Sequence, residues 1–173
     1  MPDQPQTAPL GKTMVNLSWV ALLALLTLYF ANRESHTHNP NQQLISSEET
    51  AFKEVTLQRN PQYHYLANGS INGKEVTFLV DTGASDVAVP AHLAASLGLT
   101  PGAQDTVTTA NGKVNTRRTR IDTLQLGSIQ LLDVAASINP GMDDDEILLG
   151  MSFLKHLEFT QKDGQLTLRQ TRP

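Results

Sequence analysis

Hydrophobic positions fall into two regimes along the 173-residue chain. From Met14 to Ala31, "MVNLSWVALLALLTLYFA", apolar residues run almost without a break and no residue is charged. As a helix rising about 1.5 Å per residue, this stretch spans about 27 Å, close to the hydrocarbon thickness of a bilayer. Lys12 and Arg33 bracket it, and Trp19 and Tyr29 lie toward its ends, where interfacial aromatics sit. The run is long for the apolar core of a cleaved leader, and no small-x-small site closes it. The expectation is a tail over 1–13 and an uncleaved transmembrane anchor over 14–31. Basic residues lie on both sides, so the positive-inside rule is nearly balanced; the orientation adopted keeps the short tail inside and exports the rest.

Residues 32–60 are polar, with "NRESHTHNPNQQ" and "SSEE", and hold no sustained apolar period. They read as a tether with a short helical stretch around Ser47 to Leu57, capped by Ser47. From Tyr63 the pattern changes to short β-prone runs separated by turn signals. Asn72-Gly73, Asn111-Gly112 and Asp163-Gly164 each stand between two extended runs, and such dipeptides suit the positive φ angles of tight hairpins. "IQLLDVAASI" is a further strand, Pro90 to Leu99 a short helix, and "EILLGMSFLKHL" a strand that passes Gly150 into a second helix. Many short strands with one or two short helices predict an all-β, barrel-like domain over 61–171.

Composition narrows the chemistry. A formal net charge of −4 leaves no broad basic face for nucleic acid. The absence of cysteine removes disulfides, thiolate metal sites and cysteine nucleophiles. His36 and His38 make an H-x-H pair, too few ligands for a metal. The acidic run Asp143-Asp144-Asp145-Glu146 lacks the spaced glycine and closing glutamate of a calcium loop and reads as solvated. No metal or cofactor is expected.

One carboxylate stands apart. In "FLVDTGASDVAVP", an apolar strand ends abruptly at Asp81-Thr82-Gly83 and resumes after Ala84-Ser85. Asp, Thr and Gly are all turn formers, and an isolated D-T-G is most simply a turn. Here small residues and a glycine follow the acid inside an apolar context, which lets backbone N–H groups approach the carboxylate. Burial of a carboxylate costs several kcal/mol unless such partners satisfy it.

The chain resembles the aspartic proteases, specifically their single-lobe, retropepsin-like members. Four features carry the likeness. They are the hairpin "GSINGKEVTFLV", the Asp81-Thr82-Gly83-Ala84-Ser85 loop it leads into, a flap-like hairpin at Asn111-Gly112, and "ILLG" at Ile147 to Gly150 followed by "MSFLKHL". Together they cover Tyr63 to Gln170, and the anchor and tether look like those of the membrane-attached bacterial branch. The resemblance implies a single-lobe acid-protease barrel that hydrolyses peptide bonds of a protein or peptide substrate. Water is the nucleophile, activated by two aspartates that share one proton. It also implies a periplasmic domain on a bacterial inner membrane. Only one D-T-G is present, so the implied enzyme is a homodimer with Asp81 from each subunit at a two-fold axis. Thr82 would lock the two loops across that axis, Gly83 would present its backbone to carboxylate and substrate, and Ser85 would orient the loop with Ala84. Asn111 and Gly112 would lie near a flap tip, and Leu148, Leu149 and Gly150 would pack behind the catalytic loop.

The chain departs from the retroviral pattern after Gly150. Met151-Ser152 stand where an arginine would support the viral dimer, and the chain runs on into its own hairpin. A different dimer interface is therefore expected. A membrane-anchored binding or dimerisation module, keeping the barrel without turnover, is the alternative of another class.

Overall fold

Residues 8–109 and 112–171 are described by a computed structural model. The chain divides into two compact units, Met1–Thr37 and His38–Pro173. The first is carried by helix α1, Ala8–His38, which contains a segment, Thr13–His38, long and apolar enough to cross a membrane. Its large apolar side chains, from Met14 through Phe30, are exposed all round. The hydroxyls of Ser18 and Thr27 donate back to the carbonyls of Met14 and Leu23, so neither needs water as a partner.

The second unit is mostly strand. Its larger sheet has seven strands in the order β3-β4-β9-β5-β8-β7-β6. These are β3 Leu66–Ile71, β4 Lys74–Val80, β5 Val87–Pro90, β6 Gln104–Thr109, β7 Gly112–Leu126, β8 Ile129–Asn139 and β9 Ile147–Leu149. A further pairing of β3 with β7 curls the sheet toward closure. The predicted turns stand at Asn72-Gly73, between β3 and β4, and at Asp163-Gly164, all four residues with positive φ. The two short helices are α2, Ala91–Ala94, shorter than the Pro90–Leu99 expected, and α3, Met151–Leu154. Phe78, Ile121, Leu124, Leu126, Ile147, Leu149 and Phe153 fill the interior with essentially no exposure.

The smaller sheet corrects the expected tether. Its four strands, in the order β1-β2-β11-β10, are β1 Ile45–Glu48, β2 Phe52–Gln58, β10 Glu158–Lys162 and β11 Gln165–Thr171. The segment read as a capped helix at Ser47 to Leu57 is therefore a strand pair. Val55 and Leu57 are fully buried and lie opposite Leu168 and Leu166 of β11. The run Glu54-Val55-Thr56-Leu57-Gln58 carries a strand's period of two, and a distant partner at the other end of the chain supplies the ladder that local propensity cannot. Residues 32–38 continue α1, and Asn41, though polar, is buried. Its side chain bonds the Gln58 N–H, the Gln58 carbonyl and the Leu66 carbonyl. The folded unit thus begins at His38, not at residue 61.

Candidate active site

Strands β4 and β5 are consecutive in sequence but not neighbours. β9 lies between them, parallel to β4 with Val80 opposite Leu149, and antiparallel to β5 through Ala88 and Leu148. The connection Asp81–Asp86 must therefore arch over the C-terminal end of β9, where Gly150 stands. A side chain at Gly150 would collide with the Asp86 carbonyl and come within 2.7 Å of that of Ala84. The backbone at Gly150 is extended, so it is close approach rather than conformational freedom that demands glycine.

The arch is clamped at both ends. The Asp81 N–H donates to the Leu149 carbonyl at 3.2 Å; the N–H groups of Met151 and Ser152 donate to the carbonyls of Ala84 and Ser85 at 2.8 and 2.9 Å. The Ser152 hydroxyl is buried, accepts from the Val87 N–H at 2.9 Å and donates to the Ala135 carbonyl at 2.7 Å, tying α3, β5 and β8 together. Within the arch, Asp81 Oδ1 accepts the Gly83 N–H at 2.8 Å. The half-buried Asp81 carboxylate is thus oriented by its own loop.

Asp81 opens on a cavity of about 390 Å³. Gly83, Ala84, Ser85 and Asp86 form its floor with Ala88 and Leu148, while Ser137 and Asn139 of β8 and Val107 and Thr108 of β6 complete the walls. Leu148 therefore lines the cavity rather than standing as a support behind the loop; the fully buried Leu149 and the buried Gly150 lie behind. Thr82 is exposed and does not line the cavity of the single chain. The flap-like hairpin forms from β6 and β7, with Thr109 paired to Gly112, whose φ of +113° only glycine adopts readily. Asn111 lies outside the described residues. Among the described ones, Val107 and Thr108, a few positions before the expected tip, reach the cavity. Asp86, Val107, Thr108, Ser137 and Asn139 were not anticipated. The polar positions closing "ASIN", both buried, were the one available signal for the last two.

Two ion pairs brace the surroundings. Arg118 of β7 donates through Nε to Asp105 of β6 at 2.8 Å across the β6–β7 hairpin. That hydrogen bond, with the Thr106 N–H and the charge of Arg118, holds the Asp105 carboxyl below its ordinary range. Arg120 pairs with Asp133 in the same sense, lowering the acid and raising the base. In the acidic run, Asp145 and Glu146 meet His92 and His38 at 2.8 and 3.0 Å, exposed contacts that steady the loop before β9.

Residues 67–156 match the model of a family described as "gag-polyprotein putative aspartyl protease". An uncharacterised protein from the cobV 5′ region of a Sinorhizobium species is 32% identical over 171 residues, 92% of this chain and 73% of that protein. The uncharacterised protein RP867 of Rickettsia prowazekii is 28% identical over 156 residues, covering 86% of this chain and 67% of the relative. The crystal structure of a retropepsin-like aspartic protease from Rickettsia conorii superimposes with a TM-score of 0.59 at 27% identity, over 75% of this chain and 96% of that one. With the D-T-G arch at the end of β4, the ILLG strand beneath it and a family match across both, the chain belongs to the retropepsin-like aspartic proteases.

Proposed function

We propose that this protein is a membrane-anchored aspartic endopeptidase, active as a homodimer in which Asp81 of each subunit contributes half of a catalytic dyad. The observation that carries the reading is a carboxylate oriented by its own Gly83 N–H, on an arch fixed at both ends, opening on a cavity whose far wall is the flap strand. A single carboxylate offers a base but no matching acid for the leaving amine. Two copies of the exposed arch, meeting at a two-fold axis, supply both, and the exposed Thr82 is then available to cross the interface.

In that dimer, one ionised Asp81 takes a proton from water as the water attacks the scissile carbonyl carbon. The protonated Asp81 of the other subunit hydrogen-bonds the carbonyl oxygen. As the tetrahedral intermediate collapses, a carboxyl donates its proton to the departing nitrogen. Turnover therefore needs one carboxylate as base and one carboxyl as acid at the same time. Val107 and Thr108 close over the peptide and exclude water from the reacting bond. Helix α1 holds the enzyme to a bacterial inner membrane with the protease unit in the periplasm. No step calls for a metal or a cofactor.

The test is cleavage of a peptide library by the full-length protein in detergent, beside its Asp81→Asn form. Asparagine keeps the shape of the side chain but serves neither as base nor as acid, so cleavage should fall by about 10²–10⁴-fold or more while the thermal melt is preserved. Equal cleavage by the two proteins would exclude the mechanism. No cleavage by either would favour a silent protease-fold binding module.

A further inference from the structure

Strand β9 is only three residues long and leaves part of β4 uncovered on its side. The parallel pairing runs back from Val80 and Leu149 to Phe78 and Ile147 and stops there, whereas β4 begins at Lys74. Ile71 and Lys74 flank the tight Asn72-Gly73 turn as a hydrogen-bonded pair, so Lys74, Val76, Phe78 and Val80 direct their main-chain groups to β3. The Val80 N–H keeps that parity by donating to the Tyr65 carbonyl at 3.0 Å, and the Asp81 N–H keeps the opposite one by donating to Leu149. Glu75 and Thr77 therefore point theirs toward the β9 side. Among the described residues, the Thr77 N–H and both main-chain groups of Glu75 have no strand beside them.

What lies beside them is a groove of about 480 Å³. Its opposite wall is α2 and the turn that follows, through Leu93, Ser96 and Leu97, and Asp145 stands at the mouth on the segment leading into β9. The floor is apolar: Val76 and Leu93 are half-buried and Leu97 is buried. The rim is acidic. Glu75 is exposed, and Asp145 keeps 86% of its side chain in solvent beside its contact with His92. The Lys74 ammonium is engaged with the Ser96 carbonyl. No residue lines both this groove and the cavity at Asp81.

We propose that this groove binds an extended basic segment of a partner protein, which adds as a strand to the open stretch of β4. Main-chain pairing to an unoccupied edge supplies affinity, and pockets for alternate side chains supply selectivity. Successive side chains of a strand point to opposite faces, so Val76 shares the face of the buried Phe78, while Glu75 and Thr77 share the other. An added strand alternates in the same way. One set of its side chains falls on Val76, Leu93 and Leu97, and the other lies beside Glu75. Apolar residues alternating with lysine or arginine satisfy both sets, because opposite charges across a strand pair attract and like charges repel. An acidic segment would meet Glu75 and Asp145 as like charges. The site uses neither Asp81 nor a second copy of the chain, so it stands apart from the catalytic reading.

The probe is a fluorescein-labelled heptapeptide alternating lysine and valine, read by anisotropy against the full-length protein in detergent. The protein carries Asp81→Asn, so that cleavage does not remove the probe. Saturable binding is expected, about tenfold or more tighter than that of a glutamate–valine counterpart. Glu75→Lys should weaken it about tenfold and shift the preference toward the glutamate–valine peptide, whereas Glu158→Lys, at an exposed acid of β10, should leave it unchanged. Methylation of the peptide's main-chain nitrogens, which keeps every side chain, should abolish binding. On binding, amides of residues 74–77 should gain protection from hydrogen exchange. Absence of saturable binding, equal binding of the acidic peptide, or no gain of protection at 74–77 would overturn the proposal. Binding that survives Glu75→Lys or main-chain methylation would also overturn it and assign the peptide to the Asp81 cavity or to the surface at large.

Discussion

Ser152 shows how a residue remote from the chemistry fixes the geometry of the site. Its hydroxyl is the acceptor for the Val87 N–H and a donor to the Ala135 carbonyl, and Val87 has no exposure to water. Ser152→Ala leaves both backbone groups without that partner, at a cost of about 1–3 kcal/mol for each buried group left unsatisfied. The expected result is a lowered melting temperature and, on the protease reading, reduced cleavage, since the end of the Asp81–Asp86 arch is released into β5. Thermal melts and kinetics of the purified variant check this; an unchanged melt would mean that a water replaces the hydroxyl. Asp81 itself needs few neighbours, because the Gly83 N–H within its own tripeptide orients it.

Among the elements, β2 decides where the protein can be cut. It lies between β1 and β11 and places Val55 and Leu57 in the core. A chain starting at Tyr63 loses β1 and β2, together with Asn41 and its bonds to Gln58 and Leu66. Loss of two large buried apolar side chains alone removes several kcal/mol, comparable with the whole stability of a small domain. A chain starting at His38 should therefore melt cooperatively and one starting at Tyr63 should not, as read by circular dichroism. The flap hairpin makes a second prediction at this scale. Asp105 is held below its ordinary range chiefly by the hydrogen bond from Arg118, so the pair contributes above the unfolded carboxylate's range and is lost only as pH falls through the lowered folded value. Being fully exposed, it contributes little energy, but it should persist through mild acidity. An NMR titration of the Asp105 carboxyl should move upward in Arg118→Ala; an unmoved midpoint would remove Arg118 as the cause.

For the whole molecule, the proposed dimer with one D-T-G per chain would make activity a property of pairs. When wild-type and Asp81→Asn subunits exchange freely in equal amounts, about one quarter of the dimers keep two intact carboxylates, so activity should follow the square of the wild-type fraction. A linear dependence, with exchange shown independently, would point to a site complete within one chain. The soluble chain from His38 should also lose specific activity on dilution, whereas the anchored protein, confined to one membrane, should hold it.

The D-T-G arch, the ILLG strand, the apolar span and the hairpin turns at Asn72-Gly73 and Asp163-Gly164 were legible in the sequence. Each is a local matter, a run of apolar residues, a pair suited to positive φ, or a short motif. The insertion of β9 between β4 and β5 was not, and it alone explains why Gly150 has no room for a side chain. Nor was the placement of Leu148 in the cavity lining, which depends on which face of β9 the arch leaves open. The polar stretch before residue 60 misled most, because its strands exist only through β11, over a hundred positions away. Local physics determined the turns, the span and the position of the acid. Long-range pairing, which no window of neighbouring residues contains, decided where the folded unit begins and how β9 comes to lie beneath the arch.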